Sequence, residues 1–283
     1  MDLKLYSNGL IDRFHCAVSH PYKTLNNVRS SLLKYDKQSN IKRIRESKIT
    51  WHICTPKSAS SFFMGYIRRR LEVSHIKFNS FSAVPSHDNR YQTVCSYTVG
   101  SQLFFSPGKN TIHISSHLHA PCTLDFMEMI SDNHTVICQT RSILDTIVSL
   151  IDYFDQGHSV NSFLMLAHEY WDSLSYLEKV NEIIEYYLPW HINFLQTWLL
   201  ASNDMNVKFL MFDDIVSATD TCFDSIFTEI PYNKNKIDTK NIKAKFNKGV
   251  SGRGAELPND AINRIEKKII HLDRFNQSLI DYL

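Results

Sequence analysis

Glycine and proline are scarce in this chain, with eight residues of each among 283. This scarcity excludes collagen-like sequences and linker-rich designs, which depend on these two residues. The six cysteines form no Cys-x-x-Cys pair and show no zinc-finger spacing with histidine, and no His-Glu-x-x-His motif occurs. We therefore expect reduced thiols, a cytoplasmic location and no resident metal.

Neither sign of charge dominates, because 31 lysine and arginine residues face 29 aspartate and glutamate residues. A protein that coats nucleic acid would carry a broad basic face, so we expect no nucleic-acid partner. The N-terminal segment lacks the apolar core of a secretory signal. The longest uncharged stretch, 186–203, includes Pro189, His191 and Gln196. A membrane span would be more uniformly apolar, so we expect no membrane partner.

Strand patterns alternate with helical patterns along the chain. We predict strands over 49–55, 110–119, 135–140 and 207–212, and helices over 58–73, 142–154, 161–201 (one or two, interrupted near Pro189) and 261–283. The basic stretch 37–48 is interpreted as solvated surface. This alternation predicts an α/β fold in which a central parallel sheet carries helices on both faces.

The residues that follow the first predicted strand favour an anion site. Lys57 is followed by small hydroxyl residues at the start of a helix, where free backbone N–H groups and a partial positive charge are available. A charged loop closed by a serine cap would show the same pattern. The Walker A pattern is absent, which makes a nucleoside-phosphate kinase an unfavoured alternative.

Two further elements carry positive charge and small residues. Arg141 follows the third predicted strand and Ser149 lies about two helical turns beyond it, so the pair could bind a phosphate. Arg141 could equally pair with Asp145 as a salt bridge at the start of the helix. The stretch 246–254 holds three of the eight glycines and two basic residues, which suits either close approach to a ligand or a flexible surface loop.

Taken together, these elements resemble the PAPS-dependent sulfotransferases. The segment TPKSASSF (55–62) resembles the family's 5′-phosphosulfate loop, RSILDTIVS (141–149) its 3′-phosphate element, NKGVSGRG (247–254) its C-terminal RKGxxGxW loop, and FLMFDD (209–214) its strand ending in Tyr-Glu-Asp. Their order over 49–254 matches as well. The resemblance implies a P-loop-like three-layer fold, a single sulfotransferase domain over 1–283, and PAPS as cosubstrate.

The resemblance also implies a role for each matching residue. Lys57 would contact the oxygen that bridges phosphate and sulfuryl group. The 5′-phosphate would be bound by Ser58, Ala59, Ser60 and Ser61, and adenine would be contacted by Phe62 and Phe212. The 3′-phosphate would be held by Arg141, Ser149, Lys248 and Gly249.

Three positions depart from the family pattern. Ala59 stands where the family usually has glycine, so we expect the loop to lack a positive φ there. Asn247 stands where arginine is usual, which weakens that contact unless Lys245 or Arg253 replaces it. Gly254 stands where the family has tryptophan.

A histidine is expected to be the catalytic base, because its pKa lies near the working pH. The stretch 115–121 corresponds to the family's Lys-Thr-His-Leu-Pro segment, and the order His-Leu favours His117. Counting back from the 3′-phosphate element favours His119 instead. We expect His117 to be the base, with His119 close behind. When His117 is aligned with the family's histidine, Ser115 stands at the position of the companion lysine. A carboxylate base, which some glycan sulfotransferases use, keeps Glu72 as an outside candidate.

The acceptor pocket of this family is lined by variable loops, here expected at 11–25, 75–95, 152–175 and 230–246. Their many aromatic residues suit a small molecule with an apolar face. We therefore expect sulfation of a hydroxyl or amine on a metabolite or natural product. The alternatives are a non-catalytic module that binds adenosine bisphosphate and a sulfotransferase that acts on a glycan.

Overall fold

The computed structural model describes residues 37–72, 113–119, 121–122, 124–158, 160, 164, 166–228, 250–273 and 279–282. In this part of the chain four strands form one sheet: β1 (Ile49–Cys54), β2 (His113–Leu118), β3 (His134–Thr140) and β4 (Val207–Met211). They lie in the order β2-β1-β3-β4 and all neighbouring pairs are parallel. Parallel strands of this kind require crossover connections, which helices provide.

The helices of the described residues are α1 (Lys37–Arg45), α2 (Ser60–Glu72), α3 (Leu124–Met129), α4 (Ile143–Asp155), α5 (His168–Ser173), α6 (Tyr176–Tyr186), α7 (Leu188–Ala201), α8 (Phe212–Ser217), α9 (Thr219–Ile226) and α10 (Asn259–Leu272). Two short 3₁₀ turns cover Arg253–Glu256 and Leu279–Tyr282. The predicted α/β fold, with a central parallel sheet between layers of helices, is confirmed.

Side chains that alternate along the strands divide the core into two clusters. Within β3, Val136 and Cys138 face a large cluster to which α1, α3, α4, α5, α6, α7 and α10 contribute. Ile137 faces the opposite way, into a smaller cluster with α2, α8 and α9. Because both faces of the sheet are covered, the central strand β1 is buried along its whole length.

The structure corrects two sequence interpretations. The basic stretch at 37–48 is not solvated surface throughout, because α1 buries Ile41 and Ile44 against the large cluster. The described residues of the region 161–201 include three separate helices, α5, α6 and α7, rather than one or two. The last break falls at Tyr187, and Pro189 occupies the first turn of α7, where its missing N–H costs no hydrogen bond.

Strand β2 carries one extra residue beside β1. Trp51 pairs with Ser115 and Ile53 pairs with Leu118, so three steps along β2 match two along β1. Such bulges re-aim the side chains that follow them, and here the segment is the one that contains both candidate histidines. Among the described helices, none is long and apolar enough to cross a membrane.

Candidate active site

The segments that follow β1, β3 and β4 meet at the carboxyl end of the sheet, as a parallel topology requires. Thr55 N–H donates to the Gln139 carbonyl over 2.9 Å. Arg141 Nη1 donates to the Lys57 carbonyl over 3.4 Å. The Arg141 guanidinium also lies 4.1 Å from the centroid of the Phe212 ring. The sequence elements predicted to converge therefore share one site.

The loop between β1 and α2 turns through two residues with left-handed backbone. Lys57 has φ +64° and Ala59 has φ +66°, so the expectation that alanine would keep the loop from a positive φ is wrong. The left-handed conformation costs an L-residue about 1–2 kcal/mol. A local hydrogen bond from Ser58 Oγ to the Thr55 carbonyl over 2.6 Å and tertiary bonds from Gln139 and Arg141 hold the loop in it. Backbone strain of this kind is concentrated at ligand sites.

Gln139 is a structural residue of the site that sequence analysis missed. Its Nε2 donates to the Ser58 carbonyl, and its Oε1 lies 2.7 Å from His52 Nε2. Both ends of the amide are thus used to fix the loop against the sheet. The available signal was a long amide side chain inside an otherwise apolar strand, since a buried polar group needs partners.

Lys57 points towards α4. Its Nζ lies 4.0 Å from the centroid of the Tyr153 ring, a cation–π contact. Burial, reinforced by the positive charge of Arg141, lowers the pKa of Lys57 to about 8, although the Asp152 carboxylate opposes this effect. A buried cation beside a second cation is unfavourable without an anion, so the pair is suited to bind one.

Arg141 is almost fully buried and connects three segments. Its Nη2 donates to Asp145 Oδ2 over 3.2 Å and to the Val250 carbonyl over 2.5 Å. The pairing with Asp145 that the sequence left open therefore exists. One polar atom of the guanidinium, Nε, is buried and has no hydrogen-bond partner among the described residues. Arg141 thus keeps donor capacity in the site while it ties the loop after β1 to the segment at 250.

Asp145 fixes the start of the C-terminal glycine segment. Its Oδ2 accepts from Gly252 N–H over 3.0 Å, and its Oδ1 accepts from Gly254 N–H over 2.7 Å. Gly252 has φ +76°, which favours glycine. A Cβ at Gly254 would lie 2.5 Å from Leu144 Cβ, so this position requires glycine because the backbone approaches α4 closely.

Replacing Gly254 with alanine is expected to displace the segment 250–254 from α4. Overpacking of this kind costs about 1–3 kcal/mol, and the displacement also moves the Val250 carbonyl away from Arg141. Urea unfolding measures the loss of stability. Ala255→Ser, at the exposed neighbouring position, is the matched control and should leave the unfolding midpoint unchanged; equal midpoints for both variants contradict the close packing.

Arg253, one of two residues that could replace the arginine missing at Asn247, is held by acidic groups of the protein. Its guanidinium pairs with Asp152 over 2.6 Å and with Glu256 over 2.8 Å, and its replacement role stays a prediction. Asn247 lies outside the described residues, as do Lys245, Lys248 and Gly249. The roles expected for Lys248 and Gly249 stay predictions.

The other expected nucleotide contacts lie around the same crevice. Ser58 and Ser60 are buried and Ser61 is exposed at the start of α2. Ser149 is 4% exposed on α4, one turn after Asp145, so the two share a face. Phe212 is buried against Arg141. Phe62 is 1% exposed within the smaller cluster, so its stacking on adenine, which stays a prediction, requires a covering side chain to move.

His119 follows β2 and reaches the end of β1. Its Nδ1 lies 2.7 Å from the Cys54 carbonyl. A carbonyl can only accept, so Nδ1 carries the proton and the lone pair of a neutral ring is on Nε2. His117 belongs to β2 but its side chain is not among those described, and neither is that of Glu72. Within the described residues, no group of three or more potential metal ligands occurs.

The fold is similar to that of known sulfotransferases. No protein-family model and no curated protein matches the chain. Among solved structures, mouse sulfotransferase SULT7A1 complexed with PAP is similar with a TM-score of 0.54 at 14% identity, over 88% of this chain and 95% of that chain. Retinol dehydratase in complex with retinol and PAP gives a TM-score of 0.47 at 11% identity, over 85% and 87%. The first similarity shows that the chain has the fold of the PAPS-dependent sulfotransferases.

Proposed function

We propose that the protein transfers a sulfuryl group from PAPS to a hydroxyl or amine of a small-molecule acceptor. The observation that carries the proposal is the placement of Arg141 against the Lys57 loop, with a buried Nε that is unbonded within the part of the chain that the structure describes. Lys57 and Arg141 place two positive charges at the carboxyl end of the sheet, and PAPS carries a phosphate group at each end of its adenosine. The similarity to a PAP-bound sulfotransferase supports the same ligand.

In this proposal the loop at 57–61 binds the 5′-phosphosulfate at the N-terminus of α2. Free backbone N–H groups and the helix dipole favour an anion there. The positive φ at Lys57 and Ala59 shapes the loop. Arg141 and Ser149 bind the 3′-phosphate, together with Lys248 and Gly249. Phe212, already stacked on Arg141, lies beside the position of the adenine.

Transfer then follows an in-line path. The acceptor oxygen or nitrogen forms a bond to sulfur while the bond between sulfur and the bridging phosphate oxygen breaks. Negative charge develops on the departing phosphate, and Lys57 stabilises it by electrostatic preorganisation. PAP is left as the product. The acceptor loses one proton in this step, and a base must receive it.

His119 is the base that the described geometry favours. Its hydrogen bond to the Cys54 carbonyl fixes the ring and directs the lone pair to Nε2, the form that accepts a proton. His117 remains the second candidate. Separate His119→Gln and His117→Gln variants decide between them at saturating acceptor: loss of the base should lower turnover without weakening PAP binding, and loss of the other histidine should leave turnover unchanged.

A transfer assay tests the proposal directly. Incubation with sulfur-labelled PAPS and a panel of phenols, alcohols and amines should yield a labelled acceptor and PAP. Calorimetry with PAP measures binding independently of turnover. Tight PAP binding without transfer to any acceptor would replace the proposal with a non-catalytic adenosine bisphosphate-binding module. Transfer to glycans but not to small molecules would reassign the acceptor class, and absence of PAP binding overturns the nucleotide site.

PAP affinity is expected to fall as the pH rises above about 8, because Lys57 has its pKa lowered to about 8 and attracts the 5′-phosphate only when protonated. The loss approaches tenfold per pH unit until the pKa of the bound state is reached. The phosphates are already ionised in this range, since their second pKa is about 6. Calorimetric titrations across this range measure the slope.

The control for this pH dependence is Lys57→Arg, which stays charged throughout. The PAP affinity of Lys57→Arg should stay constant over the pH range in which that of the original protein falls. The same slope in both proteins would show that another group titrates, and would remove Lys57 from the explanation.

A further inference from the structure

Four buried polar atoms around the start of α7 have no hydrogen-bond partner within the part of the chain that is described. They are Tyr187 Oη, Trp190 Nε1 and both ring nitrogens of His191. Tyr187 and His191 are 0% exposed and Trp190 is 8% exposed. Buried polar groups in folded proteins are almost always bonded, so an unbonded cluster indicates a ligand that supplies the partners.

The three rings form one group, which we name the polar trio. The Tyr187 and His191 centroids are 5.5 Å apart, and those of Tyr187 and Trp190 are 5.6 Å apart. The trio packs among apolar residues of the large core cluster, including Leu188 and Ile192. In such surroundings a hydrogen bond is electrostatically strong, and an unmade one is costly.

Other buried polar rings of the described residues are hydrogen-bonded, although Arg141 Nε and Thr146 Oγ1 also lack a partner there. The buried His134 accepts from Trp51 Nε1 at Nδ1 over 3.1 Å and donates from Nε2 to the Ile44 carbonyl over 2.8 Å. The buried Tyr66 hydroxyl donates to Asp220 and accepts from Arg70 Nε over 2.8 Å. The unbonded atoms of the polar trio are therefore a local feature, not a general looseness of the core.

The trio lies near the end of the sheet where transfer is proposed. Burial, together with the nearby Cys54 thiol, raises the pKa of the Tyr187 phenol. Cys54 is the last residue of β1, and its carbonyl accepts the hydrogen bond from His119. Helix α7 leads into β4, which is parallel to β3 and β1, so the start of α7, where the trio lies, is on the carboxyl side of the sheet, the side on which His119 is held.

The donors and acceptors of the trio limit what can bind. Trp190 offers one donor, and Tyr187 offers a donor and an acceptor. Burial lowers the pKa of His191 to about 3, so its ring is neutral near neutral pH and offers one donor and one acceptor. A neutral group that both donates and accepts complements this set. An ionised ligand group would leave either the donors or the acceptors of the trio unbonded, and its transfer from water into this buried place would cost more free energy.

We propose that Tyr187, Trp190 and His191 form a specificity subsite that binds an uncharged hydroxyl or amide group of the acceptor. This inference rests on the proposed sulfuryl transfer. It narrows the acceptor class to molecules that carry a second, non-reacting hydrogen-bonding group. The reacting hydroxyl or amine lies at His119, and the second group lies in the trio.

Stability of the ligand-free protein gives the first test. Tyr187→Phe and His191→Leu remove polar atoms that have no partner, so the urea midpoint should rise or stay unchanged. Tyr66→Phe and His134→Leu are matched controls that remove bonded atoms, and their midpoints should fall. A fall for Tyr187→Phe as large as that for Tyr66→Phe would show that the fold itself, or an internal water, already satisfies the hydroxyl, and would overturn the subsite.

Selective binding gives the second test and needs no turnover. Calorimetry of the PAP-saturated protein compares 2-naphthol with 2,6-dihydroxynaphthalene, which differ by one hydroxyl. We expect about tenfold tighter binding of the diol, from one added hydrogen bond to the buried groups. Tyr187→Phe should abolish this preference and leave the PAP affinity unchanged. Equal binding of both naphthols by the original protein contradicts the inference.

Failure of the two proposals can be told apart. If PAP does not bind, the nucleotide site and the proposed function fail, while the stability comparison still reports on the trio. If PAP binds and the stability or selectivity result is negative, only the subsite fails.

Discussion

Lys57→Ala is expected to lower the turnover of sulfuryl transfer by at least two orders of magnitude while the fold survives. A preorganised donor at a leaving group contributes roughly 3–4 kcal/mol to the barrier. The described structure offers no second cation for the same position, because Arg141 is assigned to the 3′-phosphate and Arg253 pairs with Asp152 and Glu256. Initial rates with saturating PAPS and acceptor measure the effect.

We expect the Lys57→Ala variant to fold, because the contact that its ammonium makes in the described structure is a cation–π contact with the Tyr153 ring. Circular dichroism and the unfolding midpoint verify this. Lys48→Ala is the matched control, since Lys48 is exposed and precedes β1 at the opposite end of the sheet. Unchanged turnover in Lys57→Ala would remove the leaving-group role from the mechanism.

Arg141→Lys is expected to weaken PAP binding by about a hundredfold. Charge-assisted hydrogen bonds contribute about 1.5–3 kcal/mol each, and lysine cannot reproduce the forked geometry with which arginine binds phosphate. Isothermal titration with PAP gives the dissociation constant. The effect should exceed that of any single serine in the loop at 58–61, because those hydroxyls are neutral donors.

Comparing PAP with a second nucleotide shows whether Arg141 contacts the 3′-phosphate directly or acts by holding the loop in place. Adenosine 5′-phosphate lacks the 3′-phosphate, so the original protein and Arg141→Lys should bind it with similar affinity. If both nucleotides lose affinity equally, Arg141 acts through its hydrogen bonds to the Lys57 and Val250 carbonyls. That result would withdraw its assignment to the 3′-phosphate and leave it a positioning residue.

Much of the architecture could be predicted because the relevant signals are local. The strands at 49–54 and 134–140 are short apolar runs rich in β-branched residues, and each is followed by a helix with a clear apolar face. A parallel sheet then brings Lys57, Arg141 and Phe212 to one edge. The interpretation of 37–48 as solvated surface was wrong because the stretch is mostly charged and polar. Only two apolar residues, Ile41 and Ile44, are buried there, and they are sufficient to anchor α1.

The sequence by itself determined the order of strands and helices, the edge of the sheet at which ligands bind, and the residue types that meet there. Only the tertiary structure decided how those residues are held. Asp145 fixes Gly252 from 107 residues away, Gln139 fixes the strained loop at Lys57 and Ala59, and the polar trio has no partner in the described ranges. The physical reason is that hydrogen bonds, close backbone approach and buried unpaired groups depend on which distant segments pack together. Local periodicity and residue preference carry no information about that packing.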